Sequence, residues 1–143
     1  MRLINYGVGE ISDRLSILAL KILYASAAEK DTAHWRNEQA ALLTKIAART
    51  LNGSWFASYT ELAAVNSAIW QGEVALREWR TQWKPTEPDS TGLRSPGEGY
   101  VAAAALTVAL LGIHQQALND RRAQLIEAIN KEAGDFLGSE KLT

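Results

Sequence analysis

The stretch Gly9-Glu10-Ile11-Ser12-Asp13-Arg14-Leu15-Ser16-Ile17-Leu18-Ala19-Leu20-Lys21-Ile22-Leu23-Tyr24 decides the fold. Its apolar residues recur at helical rather than alternating spacing, and they cover most of the circumference of a helix turning about 100° per residue. The polar exceptions do not scatter. Glu10, Asp13, Arg14, Lys21 and Tyr24 share one sector, together with Ile17. A helix that is apolar nearly all round belongs in an interior, and interior charges are costly unless they are paired or bind something. The sector is therefore a candidate site, with an internal salt-bridge network as the bland alternative.

Reading outward, helical patterns follow one another with almost no strand signal. The first helix is expected from about Glu10 to Glu29. After a turn at Lys30-Asp31-Thr32, a second runs to about Leu51, with Leu42, Leu43 and Ile46 as its apolar face. Asn52-Gly53 reads as its stop, since both residues tolerate left-handed backbone angles. A third helix, capped by Ser54 or Ser58, is expected to continue to about Trp83, facing inward with Leu62, Val65, Ile69, Leu76 and Trp83. Pro85, Pro88 and Pro96 alternate with Gly92, Gly97 and Gly99, which makes residues 84–99 a long loop, either a binding segment or a linker. A last helix starts near Tyr100 and runs to about Ala133, closed by Gly134, before a tail over residues 135–143. The expected fold is all-α, a single-domain bundle of about four helices spanning 1–143.

Composition narrows the chemistry. The chain has 143 residues, 47% of them hydrophobic, and a formal net charge of −1. That is enough chain for a real core, and too little positive charge for sequence-independent binding to duplex nucleic acid. With no cysteine, disulfides, thiolate catalysis and cysteine-ligated zinc are excluded. The N-terminus has no apolar run of signal-peptide length, and Val101 to Ile113 is too short to span a bilayer, so a cytoplasmic protein without membrane contact is expected. Neither His34 nor His114 has a second histidine at ligand spacing, and His114, between Leu111 and Leu118, reads as a core or interface residue. No metal or other cofactor is expected.

Charge also interrupts the apolar faces of the later helices. Glu73 lies between Ile69 and Leu76, flanked by Asn66, Trp70 and Arg77; Arg122 shares a sector with Leu118, Leu125 and Ile126, with Asn119 at its edge and Gln115 one stripe over. If the three helices pack together, these groups converge. As a structural network they would pair Glu10 or Asp13 with Arg122, and Glu73 with Arg14.

The same positions carry a resemblance. Gly9 to Lys21, Asn66-Ser67-Ala68-Ile69-Trp70-Gln71-Gly72-Glu73 and Asn119-Asp120-Arg121-Arg122-Ala123 resemble three motifs of small all-helical bacterial and phage proteins. Those proteins are classed as domains of unknown function and are often encoded among glycosyltransferase and surface-sugar genes. The likeness covers three short stretches, and residues 84–99 have no counterpart in it. It implies that Glu10, Asp13, Arg14, Lys21, Asn66, Trp70, Glu73, Asn119, Asp120 and Arg122 act as a set.

Among mechanisms, recognition is favoured over catalysis. Trp70 stands beside Asn66, Glu73 and Arg77, a grouping able to stack a base and read its edge, while Arg14 and Arg122 are suited to holding phosphate. Of the five tryptophans, Trp79 and Trp83 read as core or interface residues. The Ala-rich run Val101-Ala102-Ala103-Ala104-Ala105-Leu106 permits close helix approach within or between subunits, and a homo-oligomer is expected. The expected function is non-enzymatic sequestration of a nucleotide or nucleotide sugar, a nucleotide signal above all, as in phage proteins that absorb immune signals. One alternative is a magnesium-dependent nucleotide pyrophosphohydrolase using Glu10, Asp13, Glu73 and Asp120. It lacks the denser acidic motif of such enzymes, and Arg14 would compete with the cation. Another is an accessory protein of surface-sugar biosynthesis that works by protein contact.

Overall fold

The computed structural model describes residues 6–82 and 98–134, with backbone alone at 82 and 98–103. It contains four helices and, among the described residues, no strand: α1 (Val8–Ala27), α2 (Ala33–Ala47), α3 (Gly53–Gln82) and α4 (Glu98–Ala133). The protein is all-α, as its periodicity predicts. The expected loop and tail, residues 84–99 and 135–143, lie almost wholly outside the described residues. No helix among the described residues is long and apolar enough to cross a membrane.

Local chemistry explains the helix ends, not always as the sequence suggests. The Asn52 side chain accepts the backbone N–H of Trp55 at 3.0 Å, so Asn52 opens α3 rather than closing α2. Asparagine is as suited to the start of a helix as to a left-handed stop, and only the neighbouring geometry decides. Ahead of α2, Asp31 accepts the Ala33 N–H at 2.9 Å, while Thr32 accepts Nε of Arg36 at 3.0 Å. Past α1, Glu29 takes a left-handed φ of 56°, and the Lys30 N–H closes on the Ala25 carbonyl at 2.9 Å. Gly134, at φ 76°, closes α4 as expected.

The chain forms two compact units. The first is Met1–Ser67 with Asp120–Thr143; the second is Ala68–Asn119. In the first, Val8, Ile11, Leu15 and Leu18 of α1 meet Leu42 and Ile46 of α2, Leu62 of α3, and Leu125 and Ile129 of α4. Trp35, Trp55 and Val65 pack around that cluster. Leu43, expected on the apolar face of α2, is instead 49% exposed. Residues 42 and 46 are one helical turn apart, whereas 43 is rotated about 100° away from 42. In the second unit Ile69 of α3 and Ala104 of α4 are buried.

Gly9 sets how closely α1 and α4 approach. A Cβ there would collide with the Ile126 carbonyl oxygen and the Asn130 side chain. Overpacking against backbone cannot be relieved by a rotamer change, so Gly9→Ala is expected to destabilise the protein by about 2 kcal/mol in urea denaturation. Gly53→Ala, with nothing within 4 Å of the added carbon, is expected to be neutral or to stabilise by up to about 1 kcal/mol.

Candidate functional site

Within the charged sector of α1, Asp13 is the buried member, 8% exposed. Arg122 of α4 grips its carboxylate with two parallel hydrogen bonds, Nε to Oδ1 at 2.8 Å and Nη2 to Oδ2 at 2.6 Å. Asn66 of α3, also buried, donates Nδ2 to Oδ1 at 2.9 Å. The same amide nitrogen donates to Ser16 Oγ at 2.6 Å, and Ser16 donates in turn to the Asp13 carbonyl at 2.7 Å. Three of the expected site residues from three helices thus meet. Both protons of the Asn66 amide are used, and both carboxylate oxygens are satisfied.

A second knot lies further along the same helix pair. Asn130 accepts the Gly9 N–H at 2.7 Å and donates Nδ2 to both oxygens of Glu10, at 3.0 and 2.8 Å. The Gly9 N–H is one of the four amides that the start of a helix leaves without an internal partner. Asn130 thus caps α1 from another helix. Beside it, buried Ser12 accepts the indole N–H of Trp55 at 3.0 Å.

Arg14 and Lys21 turn the other way, toward α2. Arg14 pairs bidentately with Glu38, Nε to Oε1 at 2.6 Å and Nη2 to Oε2 at 2.9 Å, instead of with Glu73 as a structural network was expected to have it. The Arg14 hydrogen bond holds the Glu38 carboxyl below its ordinary range, against an opposing push from partial burial. The same bond raises the Arg14 guanidinium. Lys21 sits over the Trp35 ring, 5.8 Å from its centroid. At the surface Arg121 pairs with Glu61 at 2.6 Å.

The remaining expected residues lie at other positions along α3 and α4. Asp120 is exposed on the first unit. Trp70, Glu73, Arg77 and Asn119 belong to the second unit, where Trp70 is partly buried and the other three are exposed. Arg77 reaches the Glu73 carbonyl at 3.5 Å, and Asn119 donates to the Gln115 carbonyl of its own helix at 3.0 Å. His114, expected in a core or interface, is exposed. Sequence reading missed Ser12, Ser16, Glu38 and Asn130. Asn130 left a signal, because it lies two turns beyond Arg122 on the sector of Ile126 and Ala133, where an amide is out of place. Glu38 left none, since acids on an exposed helix face are ordinary.

Within the second unit α3 and α4 are held together by an amide. Buried Gln115 donates Nε2 to the Ile69 carbonyl at 3.0 Å and lies directly against Gly72, where a Cβ would overlap it. Toward the other end of this helix pair is an apolar groove of about 420 Å3, lined by Leu76, Trp79, Arg80, Ala104, Ala105, Val108 and Ala109. Its size suits a small ligand. Arg80 is the one charged residue lining it, and it pairs with no acid among the described residues.

Compared with models of known families, with curated proteins and with solved structures, the chain matches none. What the site can do must therefore be judged from its own groups. Among the described residues, no group of three or more His, Asp or Glu is placed to hold a metal ion. The oxygens of Asp13 and Glu10 already accept N–H donors. The Asp13 network is a closed lock between helices.

That lock sets two expectations. Arg122→Ala leaves a buried carboxylate with a single amide, and urea denaturation should show a loss of about 3 kcal/mol, with Asp13→Asn recovering part of it in the double variant. For Glu38 the folded pKa is depressed, so its contribution is complete above the ordinary glutamate range and is lost as pH falls through the folded value. An NMR titration should place the Glu38 midpoint below that of a free glutamate, and Arg14→Ala should return it toward normal.

Proposed function

We propose that the protein works by binding rather than by bond-breaking, and that its ligand is a phosphate-bearing small molecule, a nucleotide above all. The groove of the second unit, rather than the charged sector of α1, is the seat we assign to it. One observation carries this reading: an apolar groove walled by Trp79 has, among the described residues, a single cation, Arg80, on its lining. An indole face stacks a flat base, and a guanidinium holds phosphate with two hydrogen bonds.

Two further observations support it. In the charged sector a phosphate would have to displace Asp13 from Arg122 and Glu38 from Arg14. Arg80 is not committed in that way. The acids of the magnesium-hydrolase alternative on α1 are no more available, because Glu10 and Asp13 are engaged. Among the described residues the groove offers aromatic and aliphatic surface but no side-chain amide to read a base edge, which implies weak discrimination among bases. Sequestration of a nucleotide signal needs binding without turnover, and this site would supply it.

Titration with ATP, ADP-ribose, a cyclic dinucleotide and UDP-glucose, followed by calorimetry and tryptophan fluorescence, tests the reading. At least one should bind and be recovered intact by chromatography with and without magnesium. Arg80→Ala and Trp79→Ala should each weaken it about tenfold or more, while Arg14→Ala changes it less than about twofold. Binding lost with Arg14 or Arg122 but kept without Arg80 would move the site to α1. Octyl phosphate binding as tightly as every nucleotide would replace the nucleotide with a simple amphiphile.

A further inference from the structure

In the second unit α3 and α4 present different outer faces. Glu73, Arg77, Glu78 and Thr81 are exposed on α3, as expected of a helix that faces water. On α4, Leu106 is 61%, Leu110 57% and Ile113 68% exposed. At about 100° per residue these three, with Ala117, form one stripe on the side roughly opposite Ala104, Val108 and Gln115. The two sides of α4 are thus both apolar, and among the described residues the Leu106–Ile113 side is the more exposed. A helix apolar on both sides is suited to an interior, and a two-helix layer leaves one of those sides without a second layer. Ala109, which lines the groove, borders this stripe one turn before Ile113.

The charge pattern singles out what covers it. From Gly99 to Asn119 there is no Asp, Glu, Lys or Arg over 21 residues, whereas on α3 the longest such run, Leu62 to Gly72, is eleven residues. A two-fold contact sets each surface patch against its own copy, so any net charge on it would meet like charge. A stripe cleared of charge on both flanks fits that requirement. A contact with a different, charged partner would instead be served by complementary charges at the rim. We propose that α4 of a second copy of this chain packs on the Leu106–Leu110–Ile113 stripe, making the protein a homodimer. The inference makes no use of the ligand proposed above.

Sedimentation velocity of the full chain over about a hundredfold range of concentration tests it. The expected mass is twice the 15.7 kDa of one chain, falling toward one chain on dilution. Leu110→Glu with Ile113→Glu should be monomeric at every concentration, with helical circular dichroism unchanged. Leu43→Glu, exposed on α2, should leave the dimer intact. Because the chain has no cysteine, Ile113→Cys adds one thiol, which should give a covalent dimer on mild oxidation. Three outcomes would overturn the proposal. They are a monomer throughout, a dimer indifferent to the double substitution, or a monomer that instead pellets with phosphatidylcholine–phosphatidylglycerol vesicles through the same stripe.

Discussion

A carboxylate buried on α1 has to be neutralised where it stands, and the packing of the first unit follows from how that is done. Asp13 reaches across to Arg122 on α4 and to Asn66 on α3, so one group fixes the relative positions of three helices. An apolar contact tolerates sliding by part of a turn at modest cost. A bidentate carboxylate–guanidinium pair does not, because a small shift leaves a buried charge with imperfect partners. The second knot, Asn130 with Gly9 and Glu10, lies further along the same two helices. Its order, with later α4 residues meeting earlier α1 residues, sets the pair antiparallel. Gly9 allows the approach that both knots require. Such a lock contributes less to net stability than to the choice of one register, since the cost of dehydrating both ions offsets much of their attraction.

This arrangement changes what the charged sector of α1 can mean. On a helical projection its residues form one stripe. In the folded unit that stripe lies at the border between two neighbours, with Glu10 and Asp13 turned to α4, and Arg14 and Lys21 turned to α2. Four groups that look like a convergent site are divided between two interfaces. A ligand entering there would compete with intramolecular partners already in place. Among the described residues the groove of the second unit asks for no such exchange, because Arg80 has no acid there to surrender.

What the sequence made legible follows the range of the interactions. Helix number and class rest on periodicity within a single element, and four helices stand where periodicity placed them. The Asp13–Arg122 pairing was also legible, because both charges interrupt apolar sectors and so announce that they need partners. The partner of Arg14 was not. Glu38 lies on a helix face where acids cost nothing, and no pattern within α2 distinguishes it from its neighbours. Ser12 and Ser16 were hidden for another reason. Serine is small enough to pass as part of an apolar face, and its role appears only when Trp55 and Asn66 arrive from α3. Asn52 shows a third limit, since the same side chain can end one helix or begin the next, and the choice belongs to the three-dimensional turn. The groove left no motif at all. Ala104 and Ala105, from the run that reads as a close-packing seam, line the space beside Trp79.

The two units also differ in what holds them. The first has two whole helices and parts of two more, a clustered core and two polar locks; the second has parts of two helices, a buried glutamine seated on Gly72 and, among the described residues, few buried apolar side chains. A helix pair of that size buries too little apolar surface to order itself from an unfolded chain. Its helices do not have to nucleate alone, however, because α3 and α4 both contribute residues to the first unit, and extending an existing helix avoids the cost of starting one. Propagation accounts for the helical backbone of the second unit, but not for the apolar residues it leaves uncovered. Those residues gain only when something outside the hairpin removes them from water. The locked unit therefore supplies the scaffold, and the exposed apolar surface of the other is where binding free energy remains available.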